Sequence, residues 1–115
     1  MPPQPLNAKF FRTANGAEPV RDWLRELPKE DRTTIGEDIR TVQIGWPLGM
    51  PLVRKLEADL WEIRITLAHG IARVLFTLEN DTMVLLHGFI KKSHKIPKGE
   101  LELAVNRLKQ LRGNK

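Results

Sequence analysis

The sequence predicts an α+β fold built on a single mostly antiparallel sheet, and three observations carry that prediction. Residues 60–95 read as three consecutive strands, two amphipathic helical stretches come before them, and one helical stretch follows. The order is strand, helical hairpin, four strands, C-terminal helix. Such an order places helices on the apolar face of one sheet and leaves its cationic face open. With 115 residues and no internal repeat, the chain is expected to form a single domain, residues 1–115.

Residues 1–6 are punctuated by Pro2, Pro3 and Pro5 and read as a flexible arm. Ala8 to Arg12 is a short apolar segment ahead of the turn signal Asn15-Gly16, and it reads as a strand joining the main sheet. Glu18-Pro19 is suited to open a helix, because a proline in the first turn lacks an N–H that would be unsatisfied there anyway. Val20, Trp23, Leu24 and Leu27 then recur at three and four residues as one apolar stripe. A second helix runs from Pro28 or Lys29 to Ile44. It buries Ile35, Ile39 and Val42 and carries Glu30 and Asp31 near its N-terminus, where the helix dipole favours negative charge.

Gly45 to Pro51 holds two glycines and two prolines, breaks every periodic template and reads as a loop. Leu52 to Leu56 reads as a strand, and Glu57-Ala58-Asp59 turns into the three main strands. In the first of these Trp61, Ile63, Ile65 and Leu67 share one parity; in the second Ala72, Val74, Phe76 and Leu78 share the other. With His69-Gly70 as a two-residue turn, Leu67 faces Ala72, Ile65 faces Val74 and Ile63 faces Phe76, so all of them land on one side. A slip of one residue would bury Arg64 and Arg73 instead. The opposite side then carries Glu62, Arg64, Thr66, Arg73 and Thr77, with Arg64 and Arg73 as diagonal neighbours. Glu79 to Thr82 is the next turn. Met83 to Ile90 is apolar at both parities except for His87 and Gly88, which suits a central strand covered on both faces and leaves its register open. A last helix begins near Pro97 and aligns Leu101, Ala104, Val105, Leu108 and Leu111.

Composition narrows the function classes. A hydrophobic share of 41% and a charged share of 29% belong to a globular protein, and the net charge of +5 suits a nucleic-acid or acidic partner. Without cysteine there is neither a disulfide nor a thiolate metal site, and the three histidines are scattered, so no metal and no cofactor is expected. No apolar run approaches the ~20 residues of a membrane helix and the N-terminus lacks a signal-peptide core, so the expected compartment is the cytoplasm.

The remaining chemistry is cationic. Lys55, Arg64, Arg73, Lys91, Lys92, His94 and Lys95 cluster on and after the three strands. Guanidinium groups grip phosphate bidentately and stabilise charge growing on it. RNA carries its own nucleophile, the 2′-hydroxyl, so cations, a base and an acid suffice for its cleavage. A lysine among other cations has a lowered pKa, which makes Lys91 or Lys92 a candidate proton carrier, and His94 titrates in the useful range unaided. The structural alternative is that Arg64 and Arg73 pair with Glu57, Asp59 or Glu62. His87, inside an apolar strand, reads as a satisfied sheet histidine, and Trp23 and Trp61 read as core; Trp46, in the Pro/Gly loop, reads as a cover for the helical hairpin, with contact to RNA or an antitoxin as the alternative.

Lys55-x-Leu, Leu60-Trp61-Glu62-Ile63-Arg64, Ile71-x-Arg73-Val74-Leu75-Phe76, Leu86-His87-Gly88-Phe89-x-Lys91-Lys92 and Lys95-x-Pro97 together resemble the phage-derived Gp49-like branch of the RelE/HigB toxins over about residues 52–106. That resemblance implies a RelE-like fold. It also implies a toxin of a toxin–antitoxin pair, an endoribonuclease that cuts mRNA, in this family often on the ribosome. Its cognate antitoxin would commonly carry a helix-turn-helix domain. By position, Arg64 and Arg73 match arginines that handle the scissile phosphate. Lys55, Lys91 and Lys92 match basic positions around the RNA, and Phe89 an aromatic position that could stack on a base, although its open register equally allows it to be core; Arg54 and Lys95 join them as RNA-binding candidates. The family often has a tyrosine where this chain has Ala72, and the chain has no tyrosine at all. The second function class is a non-catalytic RNA- or antitoxin-binding protein on the same scaffold.

Overall fold

The computed structural model describes residues 5–49, 51–91 and 95–113. Its elements run β1 (Asn7–Phe10), α1 (Pro19–Glu26), α2 (Lys29–Gly45), β2 (Val53–Glu57), β3 (Leu60–Leu67), β4 (Gly70–Glu79), β5 (Thr82–Lys91) and α3 (Lys98–Leu111). The five strands form one sheet in the order β1-β5-β4-β3-β2, with β1 parallel to β5 and every other neighbour antiparallel. This is the α+β class expected. No helix among the described residues is long and apolar enough to cross a membrane.

One face of the sheet is the apolar one that the alternation defines. Ile63, Ile65, Ala72, Val74, Phe76, Met83 and Leu85 lie there beneath Val20 of α1 and Ile35, Ile39 and Val42 of α2, all buried. Trp23 of α1 presses so closely on β5 that a Cβ at Gly88 would sit 2.4 Å from its ring, which is why this strand carries glycine there. Trp46 of the Pro/Gly loop meets Trp61 edge-on at 5.4 Å and Phe76 at 5.7 Å, closing this core. Ala72, the site of the family's common tyrosine, is also on this buried face.

The second face differs from expectation, because α3 packs across it. Leu101, Ala104, Val105, Leu108 and Leu111 cover Leu60, Leu75, Val84, Leu86 and Phe89 in a second core. The alternation of β3 and β4 conceals this, since the partners of α3 come mainly from β5, whose two parities are both apolar. A register shift between Leu75 and Phe76 explains that run: Leu75 pairs with His87 and Phe76 with Leu85. Leu86 and His87 therefore both reach the α3 side, one into the core and the other onto the helix's polar flank.

Two smaller corrections follow from the coordinates. The β3–β4 turn is Ala68-His69, with Leu67 opposite Gly70, so the pairing lies two residues from the expected one. A shift of two preserves the faces, because side chains alternate with period two. Leu6, read as the end of a flexible arm, exchanges two hydrogen bonds of 2.8 Å with Gln43: its N–H donates to the Gln43 carbonyl and its own carbonyl accepts from Nε2, while residues 1–4 lie outside the described residues.

Candidate active site

The register arranges the polar side of the sheet in rows. Arg54, Glu62, Leu75 and His87 form one row across β2, β3, β4 and β5; Arg64, Arg73 and Phe89 form the next; Thr66, Ile71 and Lys91 form the last. Arg64 and Arg73 thus stand directly opposite one another, not diagonally, with Lys91 one row away on the same face. Like charges placed opposite each other repel, so a nearby anion is needed.

Glu62 supplies part of it. Its carboxylate is only 1% exposed; Oε2 accepts a hydrogen bond from Arg73 at 2.7 Å, and Oε1 lies 3.4 Å from Arg54 Nε. Arg73 is equally buried, at 1%. The expectation that Arg64 and Arg73 present a joint grip therefore holds for their shared face but not for their shared access: Arg73 is buried and engaged by the Glu62 carboxylate. Arg64 is half-buried and, with Thr34, Asp38, Pro51, Leu52, Thr66 and Ile71, lines an open cleft of about 550 Å³. This cleft lies where β2 begins and the edge of β3 meets α2, with the Arg64 N–H donating to the Leu52 carbonyl at 2.8 Å.

The other expected site residues divide. Arg54 is on the site face, its side chain 43% exposed on the edge strand. Lys91 is exposed at the end of β5, and Lys95 is exposed ahead of α3. Lys92 and His94 lie outside the described residues. Lys55 pairs with Trp61 and so points to the opposite face, its Nζ 5.6 Å from the Trp61 ring centroid; a lysine one residue after Arg54 on a strand cannot share its side. Phe89 is 6% exposed, stacked on His87 at 5.5 Å within the second core, so its ring packs beneath α3 and is not presented to a base.

His87 is satisfied on both ring nitrogens. Arg107 donates to Nδ1 at 3.2 Å and to the Leu86 carbonyl at 2.8 Å, while Nε2 lies 3.0 Å from Glu100 Oε1. Arginine can only donate, so Nδ1 accepts and Nε2 carries the proton of a neutral ring. Burial holds the His87 pKa below its ordinary value, against the opposing pull of Glu100. Among the described residues no three His, Asp or Glu side chains gather as a metal site requires.

Asp38 went unnoticed in the sequence. It occupies the polar flank of α2, and nothing in the local pattern tells which sheet edge that flank meets. The coordinates place it across the cleft from the strand that carries Arg64, where burial, then the neighbouring Glu37, raise its pKa.

Known proteins resemble this chain in sequence. Residues 22–109 match the family described as phage-derived protein Gp49-like. Over 112 residues the chain is 30% identical to proteins named probable endoribonuclease HigB1 from two Mycobacterium tuberculosis strains, CDC 1551 / Oshkosh and ATCC 25618 / H37Rv. The match covers 94% of this chain and 89% of each relative.

Proposed function

The chain belongs to the phage-derived Gp49-like family, a group of HigB/RelE-type toxins, and from that premise we propose that it is an endoribonuclease toxin acting on mRNA. The observation that carries the reading is the placement of Arg64. It stands on a sheet face beside a second guanidinium, at the wall of a cleft large enough for a nucleotide.

Arg64 grips the scissile phosphate. Arg73, bonded to Glu62 on the neighbouring strand, adds positive potential beside it. Arg54, Lys91 and Lys95 attract the flanking backbone. A base takes the proton of the 2′-hydroxyl, the 2′-oxygen bonds to phosphorus, the bond from phosphorus to the 5′-oxygen breaks, and an acid protonates that oxygen. The products are a 2′,3′-cyclic phosphate and a 5′-hydroxyl, and no step draws on a metal ion. Lys91, Lys92 and His94 are the candidates for the proton transfers. The reading extends to mRNA on the ribosome, to the cytoplasm as the compartment, and to a cognate antitoxin, with a helix-turn-helix domain, that blocks the site.

A non-catalytic RNA- or antitoxin-binding role on the same scaffold is favoured by one observation, the burial of Arg73 against Glu62, which withholds one guanidinium from direct phosphate contact. Growth of cells expressing the protein separates the two. Arrest by the wild type, its loss in a folded Arg64→Ala variant and its relief by the product of the adjacent open reading frame are expected. Arrest that persists in Arg64→Ala would remove Arg64 from the mechanism.

A further inference from the structure

The cleft beside Arg64 has two chemically opposite walls. Arg64 comes from the sheet; Asp38, with Thr34 one turn earlier, comes from α2; Leu52 and Ile71 supply apolar surface between them. The Thr34 hydroxyl donates back to the Glu30 carbonyl at 3.1 Å, so toward the cleft its oxygen can only accept, and the Asp38 carboxylate is the charged acceptor on this wall. A cation at one side, an acceptor at the other and apolar surface between them match a nucleotide, with phosphate, base edge and base plane each having a counterpart. At about 550 Å³ the cleft falls within the range of small-molecule sites.

We propose that this cleft is a base-reading subsite, in which Asp38 accepts hydrogen bonds from the Watson–Crick edge of a guanine next to the phosphate held by Arg64. The inference rests on the reading of Arg64 as the phosphate-binding group and adds to it a determinant of where the RNA is cut. Guanine is the base that sets two N–H donors, N1–H and the N2 amino group, side by side for a carboxylate. Adenine and cytosine offer one amino group next to an acceptor nitrogen, and uracil flanks its N–H with two carbonyl oxygens that a carboxylate repels. Asp38 is partly desolvated in the unliganded protein, and a paired donor would offset that cost.

Titration of the isotope-labelled full chain with GMP and with UMP, followed by NMR, tests this without requiring any bond to break. Its outcome is therefore separate from that of the growth and cleavage experiments. GMP is expected to shift the amides of Asp38, Leu52, Thr66 and Ile71 and to bind roughly tenfold more tightly than UMP, the low end of what a bidentate base contact gives. In Asp38→Asn the two nucleotides are expected to bind within about twofold of each other, because the amide offers one acceptor where the carboxylate offers two. Equal affinity in the wild type, undiminished preference in Asp38→Asn, or shifts confined to α3 would each overturn the proposal.

Discussion

Glu62 shows how one side chain decides what its neighbours can do. The Glu62 carboxylate, at 1% exposure, is met by two guanidinium groups, and the charge of Arg73, also at 1%, is compensated in part by Glu62. Glu62→Gln keeps the shape and removes the charge, so it leaves the Arg73 charge without this counter-ion. Chemical denaturation should register a loss on the order of 3 kcal/mol, and the Glu62→Gln/Arg73→Met pair should cost at least about 1 kcal/mol less than the two single changes added together. Strict additivity would mean that the pair is not coupled. The alternation in β3 and β4 made the common face of Arg64 and Arg73 legible, and it named Glu62 as a potential partner. It could not show that Arg73 is buried, since its cross-strand neighbour Phe89 lies on β5, whose register the sequence leaves open.

Among the elements, α3 departs furthest from the sequence reading. Its apolar stripe was legible in full, as were the boundaries of α1 and α2 to within a residue or two, because a stripe at helical spacing depends only on local pattern. The face it covers was not, because a strand apolar at both parities is compatible with several registers and the shift at Leu75/Phe76 has no sequence signal of its own. Beside the apolar contact, α3 is held to β5 by the link from His87 to Glu100 and Arg107. Burial lowers the His87 pKa, so the unfolded chain takes up a proton more readily than the folded one. This contribution to stability is therefore fully present above the ordinary histidine value of about 6.5 and is lost as pH falls from there toward the lower folded value. Denaturation midpoints measured from pH 7.5 downward should fall more steeply in the wild type than in His87→Gln; identical slopes would show that His87 does not titrate differently on folding.

At the scale of the whole molecule, the two faces of the sheet are covered by different helices. One face is closed by α1, α2 and the tryptophans, and Lys55 is drawn to that side by its strand parity. The other is packed by α3 and also carries Arg64 and the exposed Arg54 and Lys91 of the proposed site, while the Asp38 cleft lies where α2 meets the edge of β3. The composition suits a nucleic-acid or acidic partner, and the motifs from Lys55 to Pro97 carry the resemblance to the family. Neither could place the cleft, which exists only where α2 meets the edge of β3. The most direct test is the chemistry of the ends left on an mRNA recovered from a translation reaction containing the protein. Internal cuts bearing 5′-hydroxyl and 2′,3′-cyclic phosphate ends, absent with Arg64→Ala, are the predicted result. Intact mRNA, or cuts bearing 5′-phosphate ends, would contradict it.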